Sequence, residues 1–421
     1  MYQPIQLKTK ISRNSLSRSL VAIVTLLLAA MAGVQIVHAV TITVMNTLDS
    51  GPGSLRQALA VANDGDTIDF GAAVTGTITL TSQELAVTDS ITISGPGANI
   101  LAVDGNHASI VFVIAQGKTV TISGLTISGG EAPAGGGIVN DHGTLTVSNC
   151  SISGNSAING GGIFNFGFSG SATLTINNST FSGNSATTGG GIYNNGEDGS
   201  ATLTINNSTL SGNSASTNAG GGIFNDGFSG SATLTINNST FSGNSATTNG
   251  GGIVNEGLLG GAALTVSNST FSGNSASVAG GIYNHDGGGS ATLTIGDTII
   301  KAGASGANIL NIAGTVTSLG YNLSSDNGGG VLTGPGDQIN TEPLLGPLAN
   351  NGGPTFTHAL LSGSPAIDTG DPNFAPPPFF DQRGPGFDRV VNGRIDIGSF
   401  EVQRPRTTPT PRPRPTPPPR P

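Results

Sequence analysis

GGGIFNFGFSGSATLTINNSTFSGNSA, residues 160–186, is the unit from which the middle of the chain is built. Its anchoring isoleucine recurs at Ile138, Ile163, Ile192, Ile223, Ile253 and Ile282, at intervals of 25, 29, 31, 30 and 29 residues. A fixed period of this length marks one supersecondary unit stacked on copies of itself. Within the unit, GGGI(F/Y/V)N, LT(I/V) and (F/L/I)SGN have strand composition and are separated by Gly, Asn and Ser. The unit is dense in Gly and β-branched residues and lacks the Ala, Leu, Glu and Lys runs that favour helix. Three strands and three turns per period describe one coil of a right-handed parallel β-helix, an all-β solenoid with three strands per coil.

Stacking accounts for the near identity of the repeats. Each side chain in a solenoid lies about 4.8 Å from its counterpart in the next coil, so like meets like. Leu174, Leu203, Leu234, Leu264 and Leu293 are expected to form one inward ladder, and Phe181, Leu210, Phe241 and Phe271 another. Asn178, Asn207, Asn238 and Asn268 fall in the turn between two strands, where an amide ladder would tie side chains to backbone. Each opens an N-S-T sequon, but a turn amide facing the next coil leaves no room for a glycan.

Of 421 residues 67 are Gly, only 9% are charged and none is Trp, a composition that suits a narrow column better than a wide globular core. The charge is uneven. Nine of the 15 basic residues lie before residue 40 or after Val402, leaving six against all 24 acids, a formal −18 over residues 40–402. Between Lys118 and Lys301 there is no Lys or Arg. Such a body is not expected to bind nucleic acid. The single Cys150 occupies the turn slot held elsewhere by Ser179, Ser208, Ser239 and Ser269, and reads as a small tolerated residue rather than a catalytic thiol.

Taken in order, residues 1–39 have a basic start, an apolar run from Leu20 to Ala32 and a small-residue site at Val37-His38-Ala39, the pattern of a secretory signal peptide. Extracellular or cell-surface location follows, with no transmembrane segment in the mature chain. Residues 40–76 give a strand and a helical cap in which Ser54 and Gln57 have capping-box spacing. Residues 77–339 are the β-helix, with near-identical coils over 144–295. Residues 340–402 form a Pro- and Gly-rich cap with a last strand at Arg394 to Glu401. Residues 403–421 hold nine Pro and five Arg and should be an extended, disordered tail.

Three resemblances attach to these segments. DSGPGSLRQALAVANDGDTIDF resembles the N-terminal segment of secreted bacterial β-helix proteins with a CSLREA-type motif, with Gly53 where that motif has Cys. GGGI with FSGN, over roughly Gly135 to Ala276, resembles the repeat of polymorphic outer membrane proteins; that resemblance implies a passenger-like β-helix displayed on a bacterial surface and often adhesive. EPLLGPLANNGGPTFTHALLSGSPAIDTGDP, DQRG and DIGSFE resemble the choice-of-anchor Q domain of secreted repeat proteins.

Chemistry is harder to place. Many parallel β-helices cleave acidic polysaccharides, but a lyase needs an Arg or Lys beside its carboxylates, and the repeat coils have neither. A hydrolase needs paired acids on one face. The position after the Asn of GGGI(F/Y/V)N carries Asp141, Phe166, Asn195, Asp226, Glu256 and His285 in successive coils. There Asp226 and Glu256, with Asp286 adjacent, would stack as like charges and hold a cation such as Ca²⁺ weakly, or simply be solvated turn residues. Outward positions offer Phe164, Tyr193, Phe224 and Tyr283, an aromatic stripe suited to sugar rings unless Phe168, Phe228, Leu258 and Leu259 fold over it. They also offer the pairs Thr173 and Thr175, Thr202 and Thr204, Thr233 and Thr235, and Thr292 and Thr294, an array interrupted at Ala263 that resembles the faces of β-helical ice-binding proteins, although Thr is also simply a good exposed strand residue. Arg383 with Asp381, Asp396 or Glu401 is expected to be a structural ion pair. The expected function is therefore a non-enzymatic, monomeric adhesion or binding module for a glycan or surface partner, with no catalytic residues and no cofactor. A polysaccharide-degrading enzyme is the alternative, and an ice-binding protein the minor one.

Overall fold

The computed structural model describes residues 39–403; the signal-peptide reading and the Pro/Arg tail lie almost wholly outside them. From Thr41 onward the chain winds as a right-handed parallel β-helix of about 9 coils. Three sheets run along it, named here by their sequences. The T sheet has 11 strands and contains Ser171–Asn177 (SATLTIN). The S sheet has 10 and contains Thr180–Ser182; the N sheet has 9 and contains Ile163–Phe166. A fourth sheet of 5 strands, from Glu131–Ala134 to Ser245–Ala246, lies where the sequence suggested only a turn. Its Ser-Ala-Thr segments pair with their own copies, for example Ser156 with Ser185 and Ala157 with Ala186.

The inward ladders follow the repeats. Leu145, Leu174, Leu203, Leu234, Leu264 and Leu293 are in register and at most 1% exposed. Phe181, Leu210, Phe241 and Phe271 do the same on the S sheet, the last two rings stacked 4.7 Å apart. Each buried Leu or Phe contributes about 1.5–3 kcal/mol of transfer free energy.

One rung of the expected turn ladder forms, Asn238 Nδ2 donating to Asn207 Oδ1 at 2.8 Å, but the long asparagine ladders sit elsewhere. Asn149, Asn178, Asn207, Asn238 and Asn268 are left-handed turn residues, φ 48–53°, a conformation Asn tolerates better than most residues. The continuous amide chains are formed by two other, buried series. Asn140, Asn165, Asn194, Asn225, Asn255, Asn284 and Asn311, from the N strands, each pass an Nδ2–H to the next Oδ1 at 2.7 Å. Asn155, Asn184, Asn213, Asn244 and Asn274, from the SGN turns, do so at 2.9–3.0 Å. Cys150 belongs to a third ladder: its N–H donates to Ser179 Oγ, as Ser179 N–H does to Ser208 and Ser208 N–H to Ser239. Burial pushes its thiol up to about 11, which leaves it unreactive.

Glycine repetition has a steric cause. A Cβ on Gly161 would meet the backbone oxygens of Gly190 and Ser185 at 2.4 Å, so the coils approach there too closely for any side chain.

At the N-terminal end, helix α1 (Leu55–Val61) buries Leu55, Ala58 and Leu59 against the column. Ser54 Oγ accepts the Gln57 N–H at 3.2 Å, and Gln57 Oε1 reaches back to the Gly53 N–H at 2.7 Å. Among the described residues no helix is long and apolar enough to cross a membrane.

The segment 340–403 lies along the side of the helix, on the outward face of the S sheet. Gln382 Nε2 donates to Thr209 Oγ1 at 2.9 Å while Thr240 Oγ1 donates to Gln382 Oε1 at 2.6 Å. The Ser399 N–H donates to Thr270 Oγ1 at 3.0 Å. Ile299 and Leu323 pack with Leu360, Ala366, Ile397 and Phe400. The last strand expected at 394–401 is absent; that stretch is turns and bends with one bridge, Val391 to Arg394, because its groups bond to other turns of the same segment, such as the Ile397 N–H to Ala366 O and the Glu401 N–H to Asp381, while Gly398 and Ser399 bond to the column. Arg383 and Asp381 are a buried pair, and the guanidinium lies between the Phe387 and Phe400 rings, 4.0 and 3.8 Å from their centroids.

Candidate functional site: an ordered hydroxyl face

Alternation on the T sheet sends Leu174 and Ile176 inward and Thr173 and Thr175 outward. Parallel, unshifted register then aligns the outward residues into files. One file is threonine on every one of the 11 strands: Thr41, Thr67, Thr92, Thr121, Thr146, Thr175, Thr204, Thr235, Thr265, Thr294 and Thr317. A second runs Thr119, Thr144, Thr173, Thr202, Thr233, Ala263, Thr292 and Thr315, broken once at Ala263. All these residues are half-buried or exposed. A third file adds amides: Asn206 donates to Asn177, Asn237 to Asn206, and Ser267 Oγ to Asn237 Oδ1 at 2.8–3.1 Å. No T-sheet strand between Thr119 and Gly296 carries a charged residue. The Thr pairs read from the sequence thus belong to a longer array. Thr41, Thr67, Thr92, Thr121 and Thr317 were missed because the outer coils have irregular turns, although TIT, TID and TIS carry the same alternation.

The aromatic stripe is different. Phe164, Tyr193 and Phe224 are 7% exposed and Tyr283 is 8%, so of the two outcomes open from the sequence the row takes the covered one, although Phe168 and Leu259, two of the residues expected to cover it, are themselves exposed. Their rings stack on one another, Phe164 to Tyr193 at 5.2 Å and Tyr193 to Phe224 at 5.0 Å, with Phe166 against Phe164. Together with Val254 and Ala279 they make a second small core. Burying large rings against the Gly-rich turns removes apolar area from water, which explains the choice.

The acidic positions are likewise engaged. Asp226, 7% exposed, accepts from the Tyr193 hydroxyl at 2.7 Å and from the Phe228 N–H at 2.9 Å, and burial holds its carboxyl above the usual carboxylate range. Asn195 Nδ2 donates to the same hydroxyl. Although Asp226 and Glu256 are in register, Glu256 pairs with His285 Nδ1 at 2.9 Å. Asp286 caps its own turn through the Gly288 N–H. The cation trio expected from Asp226, Glu256 and Asp286 is therefore not assembled: a hydroxyl and an imidazole satisfy two members, and the third turns away. Among the described residues, the one group of three such ligands is Asp368, Asp396 and Glu401.

No family model matches the sequence, and no curated protein matches it. Among solved structures the fold is similar to the crystal structure of the pectate lyase Pel9A, at a TM-score of 0.48 and 14% identity over 89% of this chain and 98% of that one. That likeness is one of fold and is too distant to bear on activity.

Proposed function

We propose that this protein is an exported, non-enzymatic β-helix that binds a repetitive glycan or surface partner through the hydroxyl and amide files of the T sheet. The observation that carries this reading is the unbroken register of the threonine file along the whole sheet. Identical donors and acceptors repeat about every 4.8 Å along the stack, which suits a polymer held by many weak contacts. The uncharged face favours a neutral ligand over an acidic one, and catalysis would instead need a local group unlike its surroundings. The signal-like start and the resemblances to surface-displayed repeats, to the CSLREA-type segment and to the choice-of-anchor Q domain support export and surface association in the same direction. A second reading, binding to ice, draws on the same regular Thr spacing.

The test is retention of the protein on a panel of neutral and acidic polysaccharides, with reducing-end release and ice recrystallisation scored in parallel. Retention on a neutral polymer should vanish in a Thr204→Arg, Thr235→Arg variant whose melting is unchanged. Release of sugar ends that survives these changes would make the protein a polysaccharide-degrading enzyme. Ice shaping without glycan retention would favour the second reading.

A further inference from the structure

The acids that do converge lie in the C-terminal segment. One carboxylate oxygen each from Asp368, Asp396 and Glu401 lies within 4.8 Å of the others. Asp396 is 1% exposed and Glu401 0%, yet no Lys or Arg among the described residues forms an ion pair with any of the three. Arg389, fully buried, is close, but its Nη2 donates to Asn268 Oδ1 at 2.8 Å and to the Asp396 carbonyl at 3.1 Å, and its Nε and Nη1, themselves without partners, form no ion pair with any of the three carboxylates. Glu401 Oε2 accepts the Asp396 N–H at 2.8 Å; Oε1, buried, has no partner. Such an orphaned buried carboxylate oxygen is costly unless something absent from the protein itself satisfies it.

Charge sets the kind of partner. Three carboxylates face the guanidiniums of Arg389 and of Arg394, the second of which donates to the Thr369 and Gly370 carbonyls beside Asp368, so a net negative charge remains for a cation to offset. All the ligand atoms are oxygens, the preference of a hard cation such as Ca²⁺. Access exists: Asp368 is half-buried and accepts from Asn392 Nδ2 at 3.2 Å, and Asn392 also lines an open groove with Phe387, Val391 and Gln403. Asp396 Oδ1 accepts the Asp368 N–H at 2.7 Å and Oδ2 the Val402 N–H at 2.7 Å, so the backbone already holds the three segments in place.

We propose that Asp368, Asp396 and Glu401 form a Ca²⁺ site that fastens the C-terminal segment against the side of the β-helix. The ion would join the 368 turn to the 396–401 turn, the stretch that contributes Ile397, Ser399 and Phe400 to the contact with the column.

The full chain, stripped with chelator, is titrated with Ca²⁺ by calorimetry and melted with and without it. One ion per chain is expected, with a melting rise of about 2 °C at saturation. Glu401→Gln should abolish both. Asp368→Asn, at the half-buried member, tests the same site where the buried change prevents folding, and should weaken binding at least tenfold. An Asp226→Asn, Glu256→Gln variant should keep the full response. Absence of binding to the wild-type chain overturns the proposal, as does a response that Asp368→Asn leaves intact.

Discussion

Asn225 shows how much one side chain does in this fold. Its Oδ1 accepts from Asn194, and its Nδ2 donates to Asn255 Oδ1, both at 2.7 Å, in a fully buried file. Replacing it with Ala orphans a donor above and an acceptor below. At about 1–3 kcal/mol for each unsatisfied buried group, Asn225→Ala should cost about 2–5 kcal/mol. Thr233→Ala, one sheet away and outward, should stay within about 0.5 kcal/mol, because Ala263 already holds that position in the next coil. Denaturant melts of both variants check this, and equal losses would mean that the buried ladder adds nothing to ordinary packing. The repeat made Asn225 visible as an invariant position but not its role. Alternation places an Asn two residues beyond an inward Ile on the same inward side, where composition suggests only apolar residues.

At the scale of elements, the turn between T and S strands links the coils to the C-terminal segment. Asp297 takes the place that Asn268 holds one coil earlier, again with positive φ. Its Oδ1 accepts the Asp371 N–H at 2.8 Å, and its backbone carbonyl accepts the Gly398 N–H. Burial raises its pKa from 3.8 to about 6, with the Asp371 N–H and Arg389 opposing. The folded chain therefore holds this proton more tightly than the unfolded one. The resulting stabilisation is complete below about pH 3.8 and is lost as pH rises through about 6. Asp297→Asn keeps the acceptor without the charge. It should be about 1–3 kcal/mol more stable than wild type at neutral pH, with the gap closing near pH 4, in denaturant melts run with chelator. A gap of the same size at both pH values would rule out the titration. Little of this segment's placement was legible in the sequence. The contacts of Gln382 with Thr209 and Arg389 with Asn268 span well over a hundred residues and follow no period. Pattern reading detects periods, so it found an irregular cap and assigned it to the end of the column rather than its side. The contacts also bury the turn amides Asn238 and Asn268 under residues 380–389, so no glycan could sit there.

The whole molecule behaves as a stack in which each coil rests on its neighbours, so properties should scale with coil number. The period, the inward ladders and the threonine pairs were legible because each repeats with the structure itself. A covered aromatic row was legible as one outcome, but the residues that close it were not: Phe168 and Leu259 stay exposed while Phe166 packs on the rings, a detail that spacing alone does not give. This architecture distinguishes the two functional readings. If the T-sheet files bind a polymer by repeated weak contacts, removing residues 192–222 joins Gly191 to Ile223, an equivalent position in the next coil, and deletes one rung from each file. Removing residues 192–252 deletes two. Affinity for the retained polysaccharide should fall in steps of comparable size with each rung, roughly multiplicatively, while far-UV spectra stay those of a β-helix. A catalytic site would respond in another way, with activity intact through one deletion and lost at the coil that holds its acid. Binding measured on the full chain and on both deletions separates these outcomes, and a single abrupt loss would remove the repetitive-surface reading.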